Sequence, residues 1–212
     1  MCGVYQHKEY LKMRKYIYVT AIVLVIAGTG YAQNTKELFF NNLSQTTTGI
    51  EKLSGNFTQE KEFRSLDVRA VSKGLFTYVK NVEMRFDYTE PRIMSMLVDG
   101  TSLRVITEEK TTTYSLKSQK NALAEMSKIM RHCMEGHLHE LNTEYALTYE
   151  AMEKEYLVTV RYLKEDPGNT FEKISLAFDH KNYALVEIVI CERTGYVTTY
   201  RFSDLRVQPG KQ

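Results

Sequence analysis

The sequence is poor in cysteine, proline and glycine, and neither sign of charge dominates it. Three cysteines in 212 residues are too few for a disulfide-dense scaffold, and 11 glycines with three prolines exclude collagen-like and low-complexity chains. Lysine and arginine number 28 against 26 aspartates and glutamates, and the basic excess lies in the first 32 residues. The rest of the chain is nearly neutral, which excludes a strongly basic nucleic-acid surface.

The motifs of several common enzyme classes are also missing. The chain has no G-x-S-x-G elbow, no glycine-rich phosphate loop and no C-x-x-C pair. Carboxylates are plentiful, as at Glu108, Glu109, Glu153 and Glu155, but these fall at expected turns, where solvated side chains are usual. We therefore predict no catalytic set and no cofactor, and hence a protein that is not an enzyme.

The first 32 residues have the layout of a secretory signal peptide. The basic segment Lys12–Lys15 precedes an apolar run, Tyr16–Ala27, that is shorter than the ~20 residues of a membrane-spanning helix. Small residues follow up to Ala32, after which we predict cleavage. The alternative is an uncleaved membrane anchor, and either Met1 or Met13 can be the start of translation.

Cleavage at this point leaves residues 33–212 as an exported mature chain. Its length fits one domain, and the 43% hydrophobic content of the whole sequence is too high for a disordered chain. We find no linker, internal repeat or change of composition that divides it. We therefore predict a single domain over 33–212.

The mature chain begins with a helix and continues mainly in strands. Asn34 and Glu37 have the spacing of a capping box, and apolar residues at helical spacing predict a helix over 35–48. After this helix the apolar period changes to two, which is typical of strands. Short links, such as Asp99-Gly100, favour antiparallel pairing. The alternation predicts about eleven strands, at 51–63, 69–80, 82–89, 93–98, 102–107, 111–116, 144–150, 155–163, 172–178, 184–191 and 196–203.

A helical insertion interrupts the strands at residues 119–141. Leucines and methionines recur there every three or four residues, which predicts an amphipathic helix with a break at Gly136. Met126, Met130 and Met134 fall on one face of that helix. Flexible methionines suit a surface that binds varied apolar ligands, although each is also an ordinary core residue.

Some strands have apolar residues on both faces. Leu75 and Val79 point to one side of the sheet, whereas Phe76 and Tyr78 point to the other. We therefore expect both faces to be dry. A half-open antiparallel barrel with helices over its mouth, or a plain sandwich, satisfies this pattern.

A small group of histidines and cysteines suggests two further hypotheses. His132, Cys133, His137 and His139 lie close together, and Cys133 and His137 are one helical turn apart. No further ligand follows at a recognisable spacing, so we favour polar decoration of the helix over a metal site. Cys133 and Cys191 are the cysteines of the mature chain. They form either a disulfide or two buried free thiols.

An ordered series of short motifs runs along the first strands. It consists of Phe57-Thr58-Gln59, Gly74-Leu75-Phe76, Arg85-Phe86-Asp87-Tyr88, Thr89-Glu90-Pro91 and Leu97-Val98-Asp99-Gly100. The series resembles the periplasmic outer-membrane lipoprotein carrier family, LolA, which has an F-T-Q strand, a G-x-L strand, an aromatic pair followed by x-x-P, and a D-G hairpin. The detailed match covers about residues 57–105, and the helical insertion extends it along the mature chain.

This resemblance implies a half-open, incomplete antiparallel β-barrel covered by an N-terminal helix and a helical lid insertion. Its cavity accepts lipoprotein acyl chains, and Lys80 takes the place of an arginine that holds the lid closed by hydrogen bonds. We expect aromatic and methionine side chains of the strands and the insertion to form the cavity and lid: Phe76, Tyr78, Met84, Phe86, Tyr88, Met94, Met96, Met126, Met130 and Met134.

The leading hypothesis is therefore a periplasmic carrier, expected to be a monomer, that takes lipoproteins from an inner-membrane transporter to an outer-membrane acceptor. A second hypothesis is a binding module of the same fold, for another lipid or for regulation of envelope stress. A third is a small exported hydrolase, which requires a nucleophilic cluster that the sequence does not supply.

Overall fold

The computed structural model describes residues 35–63, 66–116 and 122–210. The predicted signal peptide, residues 1–32, and the proposed capping residue Asn34 lie outside the described residues.

The chain falls into two compact units, Met1–Asn41 and Asn42–Gln212. Helix α1 covers residues 35–48, as predicted. In the first unit the rings of Phe39 and Phe40 pack edge to face, with centroids 5.2 Å apart.

The second unit contains one antiparallel sheet of eleven strands. Ten of them agree at both ends with the predicted strands to within one residue. The strands are β1 (Ile50–Phe63), β2 (Val68–Val79), β3 (Glu83–Glu90), β4 (Met94–Val98), β5 (Ser102–Ile106), β6 (Thr111–Ser115), β7 (Tyr145–Ala151), β8 (Glu155–Tyr162), β9 (Phe171–Asp179), β10 (Leu185–Glu192) and β11 (Tyr196–Pro209).

The order of the strands leaves the sheet open. The order is β6-β5-β4-β3-β2-β1-β11-β10-β9-β8-β7, so the first and last strands pair at the centre. Strands β6 and β7 are consecutive in the chain but form the two opposite edges. The sheet is therefore not closed into a barrel, which confirms the prediction of an incomplete barrel.

The helical insertion connects these two edges. It consists of helix α2 (Ala122–Glu135) and a 3₁₀ helix (Leu138–Thr143). The predicted break at Gly136 is confirmed: its φ is +77°, which favours glycine, and an added Cβ would lie 2.5 Å from Thr47 Oγ1. Among the described helices, none has the length and hydropathy that a membrane crossing requires.

One face of the sheet carries the core. Residues directly opposite each other in paired strands point to the same side, and Phe76, Phe86 and Met96 form such a row across β2, β3 and β4. All three are buried. The ring centroids of Phe76 and Phe86 are 5.1 Å apart.

The expectation of two dry faces was wrong. Leu75, on the opposite face of β2, is 52% exposed. Beside it, Arg85 Nε donates to Asp87 Oδ1 at 2.7 Å, so charged side chains share this face with the exposed leucine. In β10 a register shift near Leu185 places this residue on the same buried face as Ile188.

The end of one strand differs from the prediction. Strand β11 extends to Pro209 rather than to residue 203, because β1 pairs with it along its whole length, with Ile50 opposite Pro209. The β4–β5 connection consists of residues 99–101, as the predicted strand ends imply. Its first residue, Asp99, accepts hydrogen bonds from the N–H groups of Thr101 at 2.9 Å and Ser102 at 2.8 Å.

Candidate functional site

Helix α2 packs its methionine face toward the buried face of the sheet and contacts β10. Met126, Met130 and Met134 are 1%, 0% and 5% exposed, as an amphipathic helix requires. The predicted stripe is therefore buried in this state of the protein.

Hydrogen bonds from both sides hold α2 against the sheet. Arg131 Nη2 donates to the backbone oxygen of Asp99 in the β4–β5 connection at 2.8 Å. On the other side, Lys128 Nζ donates to Glu144 Oε2 at 2.5 Å, and the hydroxyl of Tyr145 donates to a Glu125 carboxylate oxygen. The helix thus joins both halves of the open sheet.

The predicted latch residue lies beside α1 rather than α2. Lys80 Nζ donates to the backbone oxygen of Thr48, the last residue of α1, at 2.9 Å. A cation at this position complements the negative end of the helix dipole. Lys80 thus reaches a helix-end carbonyl, but on the N-terminal helix and in an exposed hydrogen bond.

An apolar cavity of about 230 Å³ lies where the end of α1, the end of α2 and the sheet meet. It reaches the surface at Val207, which lines it and is 57% exposed. Its walls are mainly aliphatic and come from six separate segments: Leu43, Thr46, Thr47, Ile50, Leu53, Cys133, Met134, Phe178, Asn182, Tyr183, Ala184, Leu185, Leu205 and Val207.

Hydrogen bonds fix one wall of this cavity. Asn42 Nδ2 donates to the Tyr183 hydroxyl at 2.9 Å, which ties the second half of α1 to the β9–β10 turn. Tyr183 has a φ of +57°, and the turn is held by N–H groups of Lys181 and Asn182 that donate to Asp179 Oδ1. This left-handed conformation places the tyrosine ring on the cavity wall.

A second cavity, of about 170 Å³, lies between the β2–β3 turn, the β4–β5 connection and α2. Tyr78 and Met84 line it from the sheet and Arg131 from the helix. Its lining is more polar than that of the apolar cavity, since Asn81 and Glu83 also contribute. We refer to it as the polar cavity.

The structure does not bring the predicted ligand-binding residues together at one place. Met134 lines the apolar cavity, and Tyr78 and Met84 line the polar one. Met94 is half-buried. The others are buried and line neither cavity: Phe76, Phe86, Tyr88, Met96, Met126 and Met130.

Tyr88, one of these buried residues, belongs to a polar network with Gln59 and Tyr200. Gln59 Nε2 donates to the Tyr200 hydroxyl at 2.6 Å, and the Tyr88 and Tyr200 hydroxyls share a hydrogen bond. Burial raises the pKa of both tyrosines, to about 12 for Tyr200. Both therefore remain neutral hydrogen-bonding groups at physiological pH.

The histidine and cysteine group takes other partners. Cys133 and Cys191 are both free thiols, and burial raises the pKa of Cys133. His137 Nδ1 lies 2.8 Å from Glu140 Oε1, and His132 Nδ1 lies 2.9 Å from the Lys128 backbone oxygen. Within the described residues, no group of three or more His, Cys, Asp or Glu is placed to hold a metal ion.

Sequence reasoning missed three parts of the site. Arg131 had no signal, because a hydrogen bond to a distant backbone oxygen leaves no pattern in the sequence. Tyr183 lies in a turn that the sequence indicates, but its position on the cavity wall depends on its left-handed φ, which the sequence does not show. Leu205 and Val207 alternate with polar residues, and this alternation was a usable signal for a longer β11.

Comparison with known proteins identifies a family. The family model for the outer membrane lipoprotein carrier protein LolA matches residues 48–211, from the end of α1 through β11. No curated protein matches the chain.

Two solved structures match the chain over most of its length. An uncharacterized conserved protein from Thermus thermophilus is 6% identical, with a TM-score of 0.50, and the match covers 84% of this chain and 90% of that one. A LolA superfamily protein from Nitrosomonas europaea is 11% identical, with a TM-score of 0.42, and the match covers 82% and 94% of the two chains. At 6% identity, the match to the Thermus thermophilus protein shows that the fold is shared and nothing about function.

Proposed function

We propose a lipid-carrying function for this protein, which belongs to the outer membrane lipoprotein carrier protein LolA family. In this proposal residues 1–32 direct export and are removed, and residues 33–212 act as one domain in the periplasm. The domain sequesters acyl chains of lipoproteins and delivers them toward the outer membrane. It forms and breaks no covalent bond.

The observation that carries the proposal is the apolar cavity at the junction of α1, α2 and the sheet. An apolar cavity of about 150 Å³ already accepts benzene in a well-studied engineered protein. The cavity here, at about 230 Å³, is larger and mainly aliphatic. It therefore suits a segment of hydrocarbon.

The same cavity is smaller than the ~300–1,000 Å³ of typical ligand pockets. A whole acyl chain requires more room, so we infer that the structure is the closed, empty state and that α2 moves on loading. Movement of α2 would add the surface now covered by Met126 and Met130 to the cavity. Methionine suits this use because its side chain adapts to different apolar partners.

Hydrogen bonds from Arg131, Lys128 and Tyr145 oppose that movement together with the apolar face of the helix. The exposed Lys128–Glu144 pair contributes about 1 kcal/mol or less, whereas the part-buried bonds of Arg131 and Tyr145 each involve a charged group and contribute about 1.5–3 kcal/mol. Most of the closed state's stability comes from the apolar face of α2, and a bound chain replaces those contacts in the open state.

Transfer must be direct from one apolar environment to another. Each methylene group taken out of water contributes ~0.8 kcal/mol, so a long chain does not leave through water at a useful rate. This favours partners that accept the chain at contact: in our proposal, an inner-membrane lipoprotein-releasing transporter and an outer-membrane acceptor.

The test uses a fluorescent diacylated lipopeptide and the mature protein. We expect saturable binding, followed by transfer to acceptor vesicles that requires the protein. Met134→Gln places an amide in the cavity wall and should weaken binding about tenfold, since an unpaired amide costs roughly 1–3 kcal/mol. Met152→Gln is the matched control, because Met152 is 48% exposed and lies outside both cavities.

The outcomes separate the hypotheses. Binding without transfer would contradict the carrier and favour a binding module of the same fold. Absence of binding, or equal effects of the two methionine variants, would remove the apolar cavity from the proposal.

A further inference from the structure

One residue that lines the polar cavity has a buried hydroxyl for which the described residues offer no hydrogen-bond partner. Tyr78 is 3% exposed and lines this cavity, and its hydroxyl oxygen has no hydrogen-bond partner among the described residues. Buried polar groups in native proteins are nearly always paired, so an unpaired one requires an explanation. A ligand group that enters the cavity is such an explanation.

The Tyr78 hydroxyl remains a donor at physiological pH. Burial raises its pKa to about 12, and Glu135 adds to this effect while Arg131 opposes it. The tyrosine is therefore neutral and able to donate its proton to an acceptor oxygen.

Arg131 contributes a second set of donors to the same cavity. Its side chain is half-buried, and the hydrogen bond found for it within the described residues uses Nη2, toward the Asp99 backbone oxygen. A guanidinium has five N–H donors in a planar fork that matches a carboxylate. A phenol from the sheet and a guanidinium from α2, both lining one cavity, suit an anionic oxygen pair.

The surrounding charges limit which anion fits. Glu83 lines the cavity, and Glu51 and Glu135 both act on the Tyr78 hydroxyl electrostatically. These glutamates repel any anion, so a bound group has to be held by direct hydrogen bonds from Tyr78 and Arg131, and a singly charged group meets less repulsion than a phosphate dianion.

The polar cavity adjoins the apolar one. Tyr78 stands directly opposite Leu53 in the β1–β2 pair, and Leu53 lines the apolar cavity. On α2, Arg131 and Met134 are three residues apart and thus neighbours on the helix surface, and Met134 lines the apolar cavity. A ligand with its head group in the polar cavity and its hydrocarbon tail in the apolar cavity would pass between the Tyr78–Leu53 pair and the Arg131–Met134 pair.

We propose that Tyr78 and Arg131 form a polar subsite for the carboxylate of a long-chain fatty acid whose tail enters the apolar cavity and continues into the space that movement of α2 opens. This proposal rests on the proposed lipid-binding function, because both place a hydrocarbon chain in the apolar cavity. It adds a ligand class, the free fatty acid, and two residues that select for its head group.

The test compares cis-parinaric acid with its methyl ester in fluorescence titrations of the mature protein. Both probes have the same tail, but only the acid has a charged head. We expect the wild type to bind the acid more tightly. Tyr78→Phe should weaken acid binding about tenfold, as expected for loss of one hydrogen bond to a charged group, and leave the ester's affinity unchanged.

Tyr78→Phe also reports on folding. It removes a hydroxyl without a partner and keeps the ring, so the melting temperature of the empty protein should stay the same or rise. Arg131→Gln should likewise reduce the preference for the acid, whereas Lys128→Gln, on the same helix but paired with Glu144, should not.

Two results would overturn the proposal. If Tyr78→Phe leaves acid binding unchanged, or weakens acid and ester equally, the hydroxyl is an unpaired core group and not a subsite. In either case, continued binding and transfer of the lipopeptide would show that the carrier function stands without it. Failure of acid, ester and lipopeptide alike would overturn both proposals.

Discussion

Gly74 explains why the F-T-Q and G-x-L segments occur together. Phe57 stands opposite Gly74 in the β1–β2 pair, and Gly74 stands opposite Tyr88 in the β2–β3 pair. Because Gly74 has no side chain, the Phe57 ring reaches across it to Tyr88, with centroids 4.9 Å apart. Gln59, two residues after Phe57, donates to Tyr200 on the same face. The motif thus builds the centre of the buried face.

The first prediction follows from this close packing. A Cβ at position 74 would lie 2.0 Å from the Asp87 backbone oxygen and 2.8 Å from Phe57 Cε1. Gly74→Ala should therefore lower the free energy of unfolding by about 1–3 kcal/mol, the usual cost of overpacking. Urea denaturation measures it. Gly49→Ala is the control, since nothing lies within 4 Å of its added Cβ, and equal effects of the two substitutions would contradict this explanation.

Asp99 makes the β4–β5 connection sensitive to acid. A backbone hydrogen bond from Thr101, opposed by burial and supported by Ser102, lowers the pKa of Asp99 to about 2. A depressed pKa stabilises the fold above the unfolded value near ~3.9, and this stabilisation is lost as pH falls toward 2.

Asp99→Ala should cost about 1 kcal/mol at neutral pH, a value that allows for the partial exposure of the carboxylate. The difference between variant and wild type should shrink as pH falls from 4 toward 2. Urea unfolding at a series of pH values measures it. A difference that stays constant over this range would mean that the charge of Asp99 is not responsible.

At the scale of elements, α2 has positions with different expected roles. Met130 is fully buried and lines neither cavity, whereas Met134 lines the apolar cavity. Met130→Gln keeps nearly the same side-chain volume but takes an amide out of water, so it should lower the free energy of unfolding of the empty protein by about 1–3 kcal/mol. Met134→Gln should have a smaller effect on folding and a larger one on ligand affinity.

Thermal unfolding without ligand and titration with a fluorescent fatty acid measure the two effects separately. The opposite ranking, with Met130→Gln impaired mainly in binding, would place the ligand along the middle of α2 in the closed state. That outcome would contradict the assignment of Met130 to the core.

Lys80 is the predicted latch residue, and its hydrogen bond to the end of α1 is the contact through which it would hold the empty protein closed. Lys80→Leu removes the cation next to the Thr48 oxygen. If this contact helps the empty protein to close, the variant should still load lipopeptide but release it more slowly to acceptor vesicles. Lys52→Leu, an exposed lysine on β1, is the control. Transfer at the wild-type rate would show that Lys80 is not a latch.

At the scale of the molecule, an open antiparallel sheet explains why its strands were predictable. One buried face and one exposed face favour a period of two, and most strands of the sequence show that period. The end of β11 was missed although Leu205 and Val207 continue the alternation, because its last residues are mostly exposed and are held by pairing with β1. The helical insertion was equally visible, since its apolar spacing differs from that of the strands.

The candidate site was less predictable than the fold. Its apolar cavity brings together Leu43, Met134 and Leu205, which are far apart in the chain and have no common pattern. Buried aromatic and methionine residues cannot be divided by sequence into core and cavity, because both uses require the same side chains. Only the closing of α2 onto the sheet separates Met134 from Met130.

The central claim is that acyl chains occupy the apolar cavity at the junction of α1, α2 and the sheet. The most direct measurement is photolabelling with a lipopeptide that carries a diazirine in its acyl chain, followed by peptide mapping. We predict labels on cavity residues such as Met134, Leu205 and Val207. Labels confined to the exposed face of β2, at Val71 and Leu75, or spread evenly over the surface, would contradict the claim.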